Sequence, residues 1–187
     1  LEVCTEAAIR FAVAQVEAGA DFIGIGDAVA SLMSPRAYRT FALPYMAKAA
    51  SRVRGMGVPL IAFCPGGGWA LREIAEATQA DAVGVDWHAT PQHARATCAG
   101  MNVAMQGNLD PCALYAPPAE IRRRTHDMIA AFGPLGHIAN LGHGILPDVP
   151  VAHARAFVDA VKEWRWTDEA LAAASASSGA HAQLVGV

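Results

Sequence analysis

The sequence is short of lysine, of charge and of cysteine pairs, and each shortage removes a class of function. Only Lys48 and Lys162 are lysines, and no G-x-x-x-x-G-K-[ST] loop is present, so phosphoryl transfer through a P-loop is excluded. Net charge is −3 with a pI near 6.2. Proteins that bind a phosphate backbone carry a clustered basic excess, so nucleic acid is excluded as a partner. Charged residues make up 17% of the chain and aromatics 7%. Even so, no window of 18 or more apolar residues runs without a charge or turn residue, which speaks against a membrane span. No export signal opens the chain, and a soluble cytoplasmic protein is expected. The four cysteines, Cys4, Cys64, Cys98 and Cys112, form no C-x-x-C pair, as expected of reduced thiols.

Hydrophobic residues are abundant instead, at 53% of 187 residues, enough apolar surface for a packed core. Ile9, Ala12, Val13 and Val16 recur at helical spacing, and Gly19 ends that helix. The apolar run Phe22–Gly26 reads as a strand. Ser34-Pro35 caps a helix through Phe41, Pro44 restarts it, and Val58–Phe63 forms the second strand. The unit then repeats. A helix from about Trp69 to Gln79 precedes the strand Ala82–Asp86, and a helix capped by Thr90-Pro91 precedes Val103–Gln106. A helix from about Pro118 to Phe132 precedes His137–Asn140, and a last helix runs from about Val151 to Trp166. Near-continuous apolar strands alternating with helices imply a parallel sheet, in a (β/α) barrel or a doubly wound fold. The Ala/Ser-rich segment 167–187 has no apolar stripe and is expected to be a flexible tail behind a domain spanning 1–166.

Chemistry in parallel α/β folds collects at the C-terminal ends of the strands. Those ends carry Asp27-Ala28, Cys64-Pro65-Gly66-Gly67-Gly68, Asp86-Trp87-His88, Gly107-Asn108-Leu109-Asp110 and Asn140-Leu141-Gly142-His143-Gly144. Every exit is polar or glycine-rich. Asp86, Asn108 and Asn140 either serve a site or hydrogen-bond loop backbone. Gly66–Gly68 is either an anion cradle before a helix or a close strand-to-helix turn. Gly24-Ile25-Gly26 begins like a dinucleotide fingerprint, but Val29 stands where its third small residue belongs, which excludes that cofactor. His143, between two glycines, is the foremost candidate histidine. His93, His126 and His153 are expected on exposed helix faces, His181 in the tail, and Arg122-Arg123-Arg124 on a solvated helix surface. Cys64, His143 and His88 would make an open zinc site if they converged.

Gln106-Gly107-Asn108-Leu109-Asp110-Pro111 and Asn140-Leu141-Gly142-His143-Gly144-Ile145-Leu146-Pro147-Asp148 together resemble the C-terminal signature of the uroporphyrinogen decarboxylase family. Val83–Trp87 and Phe63–Gly68 fit at the right intervals, and the likeness covers about Ala8 to Trp166. It implies an α/β (β/α)8 TIM-type barrel, of which about five C-terminal βα units are present. It also implies a homodimeric carboxy-lyase that removes the acetate carboxyl groups of uroporphyrinogen, a tetrapyrrole of the haem pathway, without a cofactor. His143 matches the family histidine that contacts substrate. Asp27 and Ala28 fall at a strand end that binds another substrate carboxylate, and Gly67 and Gly68 lie at the substrate loop. Ala28 replaces a hydroxyl residue there and cannot donate a hydrogen bond. The family's principal aspartate and its substrate-binding arginines belong to N-terminal units, so the chain is expected to be part of a larger barrel.

Two other outcomes are set against this one. The run Gly24–Pro35 resembles the related corrinoid methyltransferases, which activate a thiol with zinc and take a corrinoid methyl donor. Cys64 matches one of their ligand positions, Ala62 replaces a histidine ligand, and His143 stands at a later cysteine position. The third is a non-catalytic barrel fragment.

Overall fold

The structure is a computed structural model, and it describes residues 1–29 and 32–184, the last of these (177–184) through their helical backbone alone. In chain order the elements are α1 (Glu2–Glu17), β1 (Ile23–Gly26), α2 (Pro35–Phe41), α3 (Leu43–Arg54), β2 (Leu60–Phe63), α4 (Leu71–Thr78) and β3 (Ala82–Gly84). They continue with α5 (Pro91–Thr97), β4 (Ala104–Leu109), α6 (Pro118–Phe132), β5 (His137–Leu141), α7 (Val151–Glu163) and α8 (Asp168–Leu184). Two 3-10 turns, Gly68–Ala70 and Pro111–Tyr115, follow β2 and β4.

The five strands are all parallel and lie in the order β1-β2-β3-β4-β5. A doubly wound sheet reverses direction at a switch point, whereas each strand here sits beside its predecessor. That sequential order is the barrel solution, an arc of βα units with helices on one side. Residues in register across parallel strands share a face. One row runs Gly26, Phe63, Gly84, Gln106 and Ile138, and the row below it Gly24, Ile61, Ala82 and Ala104. The alternate residues, among them Leu60, Ala62, Val83 and Met105, are buried against the helices. They join two apolar clusters, one centred on Tyr38, Val53 and Leu60 and the other on Val83, Leu114 and Ile121.

The local caps form as the sequence predicts. Ser34 Oγ accepts the Ala37 N–H at 3.2 Å and Thr90 Oγ1 accepts the His93 N–H at 3.2 Å, each ahead of a proline at the helix start. Arg123 and Arg124 pair with Glu120 at 2.8 and 2.6 Å, and Arg122 pairs with Glu163, so the arginine run is a solvated, ion-paired surface. Three expectations change. β4 runs on to Leu109, because its ladder with β5 continues through Asn108↔Asn140 and Leu109↔Leu141, and Gly107-Asn108 is strand rather than exit loop. His126 and His153 are half-buried and tie elements together, through the Ala160 carbonyl at 3.1 Å and the Leu114 carbonyl at 2.7 Å. Residues Asp168–Leu184 are helical, with Thr167 Oγ1 accepting the Ala170 N–H at 3.2 Å and Asp168 and Glu169 in the first turn. Alanine's high helix propensity and a favourable N-terminus supply this helix without an apolar stripe.

Candidate active site

An ordinary barrel fills its interior with layers of bulky branched side chains. Here the inward row offers no side chain at Gly26 or Gly84, and a Cβ added at Gly24 would meet nothing within 4 Å. A cleft of about 290 Å³ opens at the strands' C-terminal ends, lined by Phe63, Gly84, Gln106, Asn140, His143 and Ile145 among others, while Gly26 borders a separate groove. Gly84 is required by its neighbour, since a Cβ there would lie 2.2 Å from Phe63 Cδ2. The Phe63 ring therefore lies across the strand β3 backbone and forms an apolar wall of the cleft.

Three polar groups line that cleft with no hydrogen-bond partner among the described residues: the Gln106 amide, the Asn140 Nδ2 and the His143 imidazole. Asn140 Oδ1 is engaged by the Leu141 N–H at 2.8 Å. His143 is exposed and touches the edge of the Trp87 ring, with centroids 5.6 Å apart and planes near perpendicular. Its loop is pinned by Gly142, whose N–H donates to the Leu109 carbonyl at 2.7 Å. A Cβ on Gly142 would lie 2.5 Å from the Trp87 nitrogen, so this glycine permits the loop to rest on Trp87. A hydrophobic wall beside unpartnered donors and acceptors suits an apolar ligand with polar edges.

Asp86 and Asn108 are the braces of this mouth. The buried Asp86 carboxylate accepts the Gly66 N–H at 2.8 Å and the His88 N–H at 2.9 Å, joining the loops after β2 and β3. Asn108 Nδ2 donates to the carbonyls of Asp86 at 2.9 Å and Ala89 at 2.7 Å. Of the two alternatives the sequence left open, both residues take the backbone-holding one.

The other predicted residues fall elsewhere. Asp27 Oδ1 accepts the Val29 N–H at 3.1 Å, and Asp27 and Ala28 border a separate groove beside α1 and α3. Gly67 closes a tight turn, its N–H donating to the Cys64 carbonyl at 2.8 Å, with a Cβ position only 2.9 Å from that oxygen. Gly66 likewise spends its N–H on Asp86, which makes the glycine run chiefly a strand-to-helix turn; Gly68 borders the space beside Asp86.

Cys64, His88 and His143 do not come together as zinc ligands. The next residue after inward Phe63 turns to the helices, and Cys64 Sγ lies buried 3.2 Å from the Tyr38 hydroxyl and 3.6 Å from Met46 Sδ. Burial pushes its thiol above the ordinary range, the opposite of what a thiolate ligand needs. His88 stacks on Trp87 with Nδ1 3.4 Å from Asp86 Oδ1. Among the described residues no three His, Cys, Asp or Glu side chains are grouped to hold a metal.

Phe63 and Gln106 carry no predicted role in the sequence although both stand in the quoted motifs. The signal for them is period-two alternation from Gly84, which fixes which strand residues face the interior.

The sequence model of the family described as uroporphyrinogen decarboxylase (URO-D) matches residues 1–164. A uroporphyrinogen decarboxylase from Salinibacter ruber is 46% identical over 165 residues, covering 87% of this chain and 46% of that protein. The Homo sapiens uroporphyrinogen decarboxylase is 43% identical over 168 residues, covering 86% of this chain and 45% of that protein. Among solved structures, a methyltransferase from Methanosarcina mazei superposes with a TM-score of 0.74 at 28% identity, covering 87% of this chain and 48% of that one. The chain spans about half the length of the curated relatives it matches.

Proposed function

The chain belongs to the uroporphyrinogen decarboxylase family, and on that premise we propose that it is the C-terminal part of an enzyme that decarboxylates the acetate side chains of uroporphyrinogen. The observation that carries this is the cleft at the strand ends with His143 at its rim, in a chain 46% identical over 165 residues to a protein of that name. The chemistry places modest demands on the protein. A protonated pyrrole accepts the electron pair released as carbon dioxide leaves, so no separate electron sink or cofactor enters the proposal. The protein must orient the macrocycle, stabilise the cationic ring and steer protons. Phe63 supplies an apolar surface for a pyrrole, and His143, with Gln106 and Asn140, supplies polar contacts to the carboxylates at its edge. Asp27 and Ala28 belong to the proposal as a second carboxylate subsite, in which Ala28 offers no hydroxyl and leaves the backbone and Asp27 to shape it. The principal carboxylate and the acid-binding arginines are proposed to come from preceding βα units.

Cytoplasmic location and a homodimer complete the proposal. No described helix is long and apolar enough to cross a membrane, and the family resemblance implies the dimer. The methyltransferase alternative has the fold likeness in its favour, but the ligand set it needs is not assembled by Cys64, His88 and His143.

The test is incubation of the complete protein with uroporphyrinogen III under reducing conditions, with separation of the products by carboxylate number. Stepwise conversion to the four-carboxylate product is expected. Unchanged substrate under conditions where a known decarboxylase turns over would overturn the proposal.

A further inference from the structure

We propose that Tyr115 and Asp148 form a latch that positions His143, with Tyr115 acting as a positioning residue for the cleft.

The loop from Gly142 to Pro150 joins β5 to α7 and carries His143. Its start is fixed by the Gly142 N–H to the Leu109 carbonyl and by the close fit on Trp87. Beyond that point His143, Gly144 and Ile145 are exposed, and the His143 ring has only the Trp87 edge against it. A loop held at one end alone would let the imidazole swing away from the cleft. The far end is held by Asp148, whose Oδ1 accepts a hydrogen bond from the Tyr115 hydroxyl. Leu146 packs on the apolar core and its carbonyl accepts the Val149 N–H at 3.2 Å, with Val149 buried.

Tyr115 itself is well placed to serve as an anchor. It ends the 3-10 turn Pro111–Tyr115, which is capped by Asp110 accepting the Cys112 N–H at 2.8 Å. The turn is also tied to α7, through His153 Nδ1 and the Leu114 carbonyl at 2.7 Å. Leu114 is buried at 1% exposure, so the turn is rigid where Tyr115 projects from it. Asp148 holds the Tyr115 phenol up to about 12, as a hydroxyl donating to a carboxylate should be. The turn after β4 and the loop after β5, already joined at the strand ends by the Gly142 N–H and the Leu109 carbonyl, are thus joined a second time by this side-chain pair. Its effect is to fix both ends of the span bearing His143, which lowers the entropy lost when the imidazole meets a ligand.

The proposal rests on the decarboxylase assignment for its functional consequence but not for its structural one, and the experiment separates them. In the complete protein, amide hydrogen exchange of residues 143–147 is measured for wild type, Tyr115→Phe and Asp148→Asn, alongside uroporphyrinogen turnover. Faster exchange confined to that loop is expected in Tyr115→Phe, with Asp148→Asn, which keeps an acceptor, closer to wild type. Turnover should fall about two- to five-fold in kcat/KM in Tyr115→Phe, the modest size expected of an exposed pair acting through loop order, and change little when His143 is already alanine. A purely structural role would lower activity equally in both backgrounds, and that result, or loop exchange unchanged from wild type, would overturn the latch. If wild type does not decarboxylate uroporphyrinogen, the assignment fails while exchange still decides the latch.

Discussion

Replacing Gly84 by alanine perturbs the cleft at its tightest point. The added Cβ would stand 2.2, 2.6 and 2.8 Å from Phe63 Cδ2, Cγ and Cβ, all far inside contact distance. Gly84 is itself buried between paired strands β2 and β4, so the backbone has little room to retreat. The Phe63 ring must tilt into the cleft or β3 must shift, and overpacking of this kind costs about 1–3 kcal/mol. Chemical denaturation should show that loss as a lower midpoint with an unchanged slope. Removing the whole side chain takes away all three contacts, so in a Phe63→Gly background Gly84→Ala should cost less than about 1 kcal/mol. The difference between backgrounds is the coupling energy, about 1–2 kcal/mol for residues in direct contact. An equal cost in both backgrounds would refute the placement of the Phe63 ring over Gly84, and with it the apolar wall of the cleft.

Asp86→Ala should lose about 2–4 kcal/mol of stability, because two backbone N–H groups, of Gly66 and His88, lose a carboxylate acceptor; a denaturation loss under 1 kcal/mol would contradict its bracing role. His137 stacks on Phe132 with centroids 4.1 Å apart and donates from Nε2 to the Gly107 carbonyl at 2.7 Å. Burial pushes its pKa below the ordinary range, with the hydrogen bond to Gly107 opposing and Arg95 adding to the shift. A depressed histidine binds its proton more weakly folded than unfolded, so its contribution is complete above about pH 6.5 and declines as the pH falls below that. His137→Phe should flatten that decline in denaturation curves, and an unaltered pH slope would refute it. Gly142→Ala should displace the His143 loop from Trp87, seen as lost substrate affinity, because its Cβ would meet Trp87 backbone rather than a movable side chain; wild-type affinity would show that the loop tolerates the displacement.

Much of the architecture is legible in the sequence because it is local. Ser34-Pro35 and Thr90-Pro91 announce helix starts by their own chemistry, and the glycine and polar clusters mark the strand exits. Period-two alternation also carries more than the motifs alone: with Phe63 inward, Cys64 must turn to the helices and meet Tyr38, which removes it from the mouth. What is not legible depends on distant partners. Asn108 has low strand propensity, yet it lies in β4 because carbonyls of Asp86 and Ala89 satisfy its side chain and Asn140 pairs with it across the ladder. The same holds for Tyr115 and Asp148, separated by 33 residues and joined only by the fold. Asp86 reads equally well as a site carboxylate or a brace until the Gly66 and His88 N–H groups are seen on it.

The most direct test of the account is turnover of uroporphyrinogen III by the complete protein and by its His143→Ala variant, with the denaturation midpoint of each. His143 makes no hydrogen bond within the described residues and is exposed, so its removal should leave stability nearly unchanged. Stepwise carboxylate loss is expected in the wild type and a fall of at least about ten-fold in the variant, as for loss of a charged substrate contact. Wild-type turnover by His143→Ala would contradict it, and show the histidine to be a loop residue resting on Trp87.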